Sequence, residues 1–351
     1  MRAWVIGLLL TTVGSGLNML FSMRNPYIII TSIVAQLVAY PIGNGWTYIM
    51  PTRTFRTFGR EWSLNPGPFN MKEHTIIVVM ANCSFGGGAA YATDILLAQE
   101  AFYHQNFGWW FKLLLTWTTQ MLGYGIAGLA RRFLVWPAAM IWPTTLVNTS
   151  LFYALHDHSP ADPRRAGGWS IGRYRWFLYV ALGAFCWYWV PGFIFQGLSV
   201  FAFVTWIRPN NVIINQLFGG YSGLSLLPIT FDWSVVTAWL LSPLIPPWHA
   251  IANTMVGIIS FYWVVTIAIH YSGGWYAKYL PISDNAVYDN MGTVYDVKRV
   301  LTPEYTLDIE AYNNYSPLFL STTFALSYGI SFATVVSLIV HTALYNGKEI
   351  W

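Results

Sequence analysis

Apolar runs about as long as a bilayer is thick recur along this chain, and charge is nearly confined to the short stretches between them. A bilayer core takes about 20 apolar residues per helix. Candidate spans fall at roughly 3–22, 27–50, 75–103, 109–130, 133–156, 174–191, 193–207, 211–229, 232–247, 249–270 and 317–344. Only 9% of residues are charged, where an average soluble domain carries about 25%. With 55% hydrophobic residues, a soluble globule would have little to show water. The surplus apolar surface has to face lipid or another protein. The 19 tryptophans and 22 tyrosines fit the same solvent, because both gather where one end of a side chain is dry and the other wet. Several of these segments are short, long or interrupted by glycine and proline, so the pattern predicts an all-α, polytopic transmembrane helical bundle with broken or re-entrant helices, an integral, multi-pass membrane protein.

Several function classes drop out. The net charge is +4 and the basic residues form no run of the kind that binds nucleic acid. Cys83 and Cys186 both lie in apolar stretches and read as small core residues rather than a disulfide framework. Residues 3–22 are longer than a signal-peptide core and lack a small-residue cleavage site after them, so they read as a first membrane helix. There is no HExxH, CxxC, P-loop or GxSxG pattern, and the seven histidines are spread out, with His156 and His158 close together in an expected loop. No cofactor, no metal site and no enzymatic activity are expected. An intramembrane enzyme lacks paired catalytic residues at helical spacing; hydrolysis of peptides by the purified protein would revive that reading.

Loop charge sets an expected topology. Arg53, Arg56, Arg60 and Lys72 in 51–74, and Arg164, Arg165, Arg173 and Arg175 in 157–175, place both loops in the cytoplasm. The longest polar stretch, about 271–316, carries Asp284, Asp289, Asp296, Glu304, Asp308 and Glu310 against Lys278, Lys298 and Arg299, and is placed outside as an ordered, tyrosine-rich cap. The N-terminus is then cytoplasmic. Three segments between two cytoplasmic loops are one too many for even crossing. Either 75–103, with its glycine cluster, or 133–156, with Pro137 and Pro143, is expected to be re-entrant or broken, which implies a protein-lined polar pathway. No internal repeat or soluble domain interrupts the chain, so 1–351 is expected to be one membrane-embedded domain.

Two constellations could carry chemistry. Asn65-Pro66-Gly67-Pro68 cannot be helical, since each proline biases its predecessor to extended geometry and glycine permits a turn. Lys72, Glu73 and His74 follow. They form either a proton-handling group, in which Glu73 and His74 shift each other, or ordinary interfacial charges at a helix start. The second constellation runs from Asn82 to Asp94. Gly86, Gly87 and Gly88 would each cost a helix about 1 kcal/mol against alanine. They serve either a break whose free N–H groups suit a peptide carboxylate or close helix packing. Asp94 in an apolar segment is a functional candidate by default, and Tyr91 shares its helical face. Scattered polar residues (Asn18, Gln36, Gln120, Asn148, Gln196, Asn215, Gln216, Asp232 and Asn253) line a path or bond neighbouring helices.

The run Asn65-Pro66-Gly67-Pro68-Phe69-Asn70-Met71-Lys72-Glu73-His74 resembles the oligopeptide transporter family of fungi and plants, which carries an Asn-Pro-Gly signature in this setting. Ala90-Tyr91-Ala92-Thr93-Asp94, the segment from Asn210 to Gly219, Leu227-Pro228-Ile229-Thr230-Phe231-Asp232-Trp233 and Ala250-Ile251-Ala252-Asn253 resemble further family segments in the expected order, so the likeness covers essentially the whole chain. The resemblance implies a fungal-type secondary transporter importing small peptides with protons by alternating access, in the plasma membrane. On that basis Glu73, His74 and Asp94 are the expected proton handlers. Tyr91 with Gly86, Gly87 and Gly88 is the expected peptide site. Members run to roughly double this length and carry a second signature, Lys-Ile-Pro-Pro-Arg, that Ile245-Pro246-Pro247 does not match. The chain is therefore expected to be an N-terminal half or truncated member. It would work with a missing C-terminal half or by self-association, or else be a non-transporting product that pairs with a full-length relative or is inactive.

Overall fold

The computed structural model describes residues 1–24, 28–57, 59–85, 90–138, 142–164, 167–237 and 241–350. They are overwhelmingly helical, with two short antiparallel strand pairs. The helices are α1 (Arg2–Ser22), α2 (Ser32–Ile49), α3 (Met71–Phe85), α4 (Tyr91–Ala101), α5 (Trp109–Leu134), α6 (Thr145–His156), α7 (Arg173–Trp189), α8 (Phe203–Ile207), α9 (Val212–Phe218), α10 (Trp233–Thr237), α11 (Trp248–Gly257), α12 (Thr266–Ser272), α13 (Ile309–Tyr315) and α14 (Thr322–Ile350). Four helical stretches among the described residues are long and apolar enough to cross a membrane: Arg2–Ser22, Arg173–Ile194, Trp248–Ser272 and Thr322–Lys348. The chain forms two compact units, Met1–Ala181 and Leu182–Trp351.

Polarity is distributed the opposite way from a soluble protein. Trp4, Trp110, Trp117 and Leu129 are exposed, while Arg2, Gln36, His74 and His270 are buried. A large apolar exterior marks a surface made for something other than water. With buried Arg2 and His74 bonded to other protein groups, it defines an all-α integral membrane protein.

In the first unit, α1 and α2 pack on α3. Small residues permit the close approach. A Cβ at Gly14 would lie 2.5 Å from the Phe85 ring, and one at Gly43 would lie 2.6 Å from the Phe69 ring. Ala3, Ile6, Ala39, Phe69 and Ile77 form the apolar core beneath. Asn18 pins the segment before α2 by accepting from Ile30 N (2.7 Å) and donating to Ile30 O (2.9 Å). β1 (Thr54–Thr57) and β2 (Arg60–Ser63) make a hairpin between α2 and α3. The apolar segment 75–103 is helical as α3 and α4, and its glycines 86–88 lie outside the described residues. In 133–156 the helix begins only at Thr145, beyond Pro137 and Pro143.

In the second unit the apolar segments 193–207, 211–229 and 232–247 are not continuous spans. They hold the short helices α8, α9 and α10 joined by irregular chain, with a bridge between Phe201 and Ile229. Pro209, Pro228, Pro243, Pro246 and Pro247, with Gly219, Gly220 and Gly223, break the backbone despite the apolar composition. Between α11 and α12 the helix widens into a π segment, Ile258–Val265.

The polar stretch between α12 and α14 is ordered around buried oxygens. β3 (Val287–Tyr288) pairs with β4 (Phe319–Leu320). The Asp289 carboxylate accepts from Met291 N (2.9 Å), Thr293 N (2.9 Å), Thr293 Oγ1 (2.7 Å) and Tyr315 Oη (3.3 Å). Asp284 accepts from the Tyr288 hydroxyl, and Ser321 Oγ bridges back to the Asp284 carbonyl at 2.7 Å. Hydrogen bonding by Thr293 holds the Asp289 carboxyl below the usual carboxylate range, and the Tyr288 hydroxyl does the same for Asp284. Burial, then the bond to Asp284, pushes the Tyr288 hydroxyl up to about 12. Carboxylates with depressed folded values contribute stability above their unfolded value of about 4, and the contribution is lost as pH falls through the folded value. Amide protection factors over 280–321 in the whole protein, exchange rates corrected for their intrinsic pH dependence, are therefore expected to stay high from neutrality down to about pH 5 and to fall below about pH 4. At the alkaline end the Tyr288 contribution is intact below about pH 10 and lost as pH rises through about 12. Protection factors that did not change between pH 6 and pH 3 would contradict the acid arm.

Candidate functional site

The loop 65–68 ties three helices together. The last carbonyls of a helix have no partner within it, and Asn65 Nδ2 donates to two carbonyls at the C-terminus of α2, Thr47 O and that of the capping residue Met50, both at 2.9 Å. Gly67 takes φ +132°, a conformation closed to residues with a side chain. Its carbonyl and that of Pro68 then accept from the Arg2 guanidinium of α1, at 2.9 and 3.2 Å. Asn70 starts α3, its Oδ1 accepting from Glu73 N at 3.0 Å. The Asn65-Pro66-Gly67 motif is thus a clasp at the ends of α1, α2 and α3. Asn65→Ala leaves two part-buried carbonyls without their donor and is expected to cost about 1–2 kcal/mol, read as a lower melting temperature in detergent. A variant as stable as the parent would contradict the clasp.

Glu73 and His74 are neighbours in sequence but point about 100° apart on a helix, and they take separate partners. Glu73 forms an ion pair with the fully buried Arg2, whose guanidinium also lies over the Phe69 ring at 5.3 Å. His74 faces α2 and α6. His74 Nε2 meets the Gln36 carbonyl at 2.8 Å, and His74 Nδ1 meets His156 Nε2 at 2.9 Å. A carbonyl only accepts, so His74 Nε2 carries a proton. In a neutral pair His74 Nδ1 then accepts from His156 Nε2–H, which leaves His156 Nδ1 as a lone pair. The Gln36 carbonyl lies one residue before Leu37, whose carbonyl loses its usual donor because Pro41 has no N–H.

Aromatic rings close the pair in. Phe152 meets the His74 ring edge-on at 4.9 Å, Phe69 lies 5.4 Å away, and Tyr40 meets His156 edge-on at 5.2 Å. Tyr40 Oη reaches His158 Nε2 at 2.9 Å, and His158 meets Tyr174 edge-on at 4.7 Å. Gln36 is fully buried. Its Nε2 donates to Asn148 O at 2.9 Å, while Gln36 Oε1 and Asn148 Oδ1 are buried with no partner among the described residues. A proton arriving at His156 Nδ1 can pass through the Nε2–H···Nδ1 bond to His74, and His156 then emerges as the other neutral tautomer. In the neutral pair one proton lies between the two rings, on the side of His156 that faces the fully buried His74.

The remaining candidates stand apart from this pair. Asp94 and Tyr91 lie on the exposed side of α4, and no hydrogen bond or ion pair joins either to Glu73 or His74 among the described residues. Gly86, Gly87 and Gly88 lie outside the described residues. Sequence reasoning missed Arg2, Tyr40, His156 and His158 as partners. His156 closes α6 rather than sitting in a loop. A signal for the buried role of His74 was present: His74, Ile77, Val78, Ala81 and Phe85 make the one buried stripe of α3. Among the described residues no cluster of three metal-ligating side chains occurs.

Buried, mutually bonded polar groups inside an apolar-surfaced helix assembly are the construction of a multi-pass membrane protein with a polar interior. The chain belongs to the oligopeptide transporter (OPT) family, whose description, OPT oligopeptide transporter protein, matches residues 1–351. It is 49% identical to the sexual differentiation process protein isp4 of Schizosaccharomyces pombe, over 100% of this chain and 44% of that protein. It is 44% identical to glutathione transporter 1 of the same yeast (100% and 42%) and 40% identical to oligopeptide transporter 1 of Saccharomyces cerevisiae (99% and 43%). The chain thus spans less than half the length of these curated relatives. No solved structure matches it.

Proposed function

We propose that the full-length protein containing this chain imports small peptides across the plasma membrane, driven by protons, with residues 1–351 as one membrane-embedded transport domain. Peptide cargo is supported by family membership and by relatives named as oligopeptide and glutathione transporters. The observation that carries proton coupling is the His74–His156 bond at 2.9 Å, anchored on the Gln36 carbonyl between α2, α3 and α6. A proton taken up there adds a buried charge and biases the helix packing around it, as alternation between two gate states requires. Glu73, already paired with Arg2, sets the local field and keeps α1 on α3. Asp94 and Tyr91, with the neighbouring glycines, are the proposed contacts for proton and peptide on the open side of α4.

Reconstitution of the full-length protein into liposomes tests this. Labelled tripeptide is expected to accumulate when the outside is acidic and to stop accumulating when an uncoupler collapses the gradient. Accumulation that ignores the gradient would remove proton coupling, and no uptake of any tripeptide would remove the transport reading.

A further inference from the structure

The second unit holds a buried histidine that the proton-carrying pair does not use. His270 is 4% exposed and lies near the end of the helical stretch Trp248–Ser272. The chain reaches it through the π segment Ile258–Val265, a helix form that concentrates at functional positions. Opposite stands the broken helix α9. After Phe218 the chain doubles back, and Leu224 N donates to Gln216 O at 2.8 Å. Side chains at Gly219 and Gly223 would meet Asn215 O at 2.3 and 2.5 Å, so this return needs glycine. Trp263 Nε1 of the π segment donates to Leu224 O at 3.3 Å, which stitches the two irregular elements together.

Their side chains meet at one point. Tyr271 Oη donates to Gln216 Oε1 at 3.0 Å, so the Gln216 amide nitrogen turns to His270 Nε2, at 3.3 Å. That nitrogen then accepts, and neutral His270 carries its proton on Nδ1. The Nδ1 atom is buried and has no partner among the described residues. A buried donor without an acceptor carries an unreturned desolvation cost. With Nε2 engaged by Gln216 and Nδ1–H buried and unpaired among the described residues, the ring lacks one acceptor, which an oxygen would supply.

We propose that His270 Nδ1–H is a peptide-binding contact of the second unit, taking a carbonyl or C-terminal carboxylate oxygen of the transported peptide, with Gln216 and Tyr271 fixing its tautomer. The inference rests on the peptide-transport reading. The arrangement also says which substitution should be tolerated. An asparagine amide nitrogen overlays Nδ1 of histidine, and a glutamine amide nitrogen overlays Nε2.

The test uses the purified full-length protein with trialanine and trialanine amide as probes, following binding by tryptophan fluorescence. His270→Gln is expected to weaken trialanine binding roughly tenfold, on the scale of one hydrogen bond to a charged or strongly polar group, while His270→Asn stays within about threefold. If the loss is confined to trialanine, the oxygen is the carboxylate; if trialanine amide loses equally, it is a carbonyl. The reverse order, with Gln tolerated and Asn not, would assign His270 to holding Gln216 and overturn the proposal, as would equal losses or none. Slower exchange of the His270 C2–H in unmodified protein on adding trialanine is expected independently of how the variants fold, and unchanged exchange would also overturn it. Wild-type protein that binds neither probe would remove the transport reading itself, an outcome distinct from wild-type binding that His270 does not affect.

Discussion

His74→Gln in the full-length protein is expected to lower proton-driven peptide accumulation by about 100-fold or more, the scale on which losing a positioned proton-transfer group slows a reaction. Downhill exchange of peptide is expected to continue. Glutamine can keep a donor on the Gln36 carbonyl, where His74 Nε2 now bonds at 2.8 Å, but it cannot take up a proton. His156→Gln should give the same dissociation of driven from downhill movement, because the proton is shared across one bond. His74→Ala is a different experiment. It empties a fully buried position and leaves the Gln36 carbonyl and the His156 donor unsatisfied, at about 1–3 kcal/mol each. Its loss of uptake would come with a loss of folded protein. Full gradient-driven accumulation by a well-folded His74→Gln variant would sink the assignment.

The membrane class was legible because it rests on quantities that a sequence displays directly: run length, scarcity of charge and aromatic content. The site was half legible. His74 announces itself by lying on the buried stripe of α3, but its partners lie 38 and 82 residues away, and nothing local in the chain encodes those distances. Adjacent residues suggested that Glu73 and His74 form a unit, whereas helical geometry sends them to different neighbours. Arg2 carries no local sequence signal, and its role appears only where Gly67 and Pro68 present their carbonyls to it. The signature motif was visible as a non-helical turn. Its work as a clasp needed the ends of three helices that only the fold brings together. In 193–247 the short, proline- and glycine-interrupted apolar segments already suggest broken helices, and the described backbone there is irregular. His270 escaped notice because a lone histidine near the end of an apolar run has no local pattern to distinguish it.

The second large effect concerns Arg2 and Glu73. Glu73→Ala is expected to destabilise the protein by about 3–5 kcal/mol, because it leaves a guanidinium buried with carbonyl acceptors but no counter-charge. That is a large share of the roughly 5–15 kcal/mol that holds a typical domain together. The folded fraction in detergent should fall sharply, read by size-exclusion profile and melting temperature. Replacing both partners with apolar residues, Arg2→Met with Glu73→Leu, removes the stranded charge and is expected to recover most of the loss, since buried ion pairs and well-packed apolar substitutes are often near parity. Recovery should stop about 1–2 kcal/mol short of the parent. Arg2 also satisfies the Gly67 and Pro68 carbonyls, and methionine cannot. The shortfall measures the clasp and the rescue measures the pair, so the two roles of Arg2 separate in one cycle. A Glu73→Ala protein as stable as the parent would mean that the guanidinium has water or another acceptor within reach, and the dry clasp inferred between α1 and α3 would have to be abandoned.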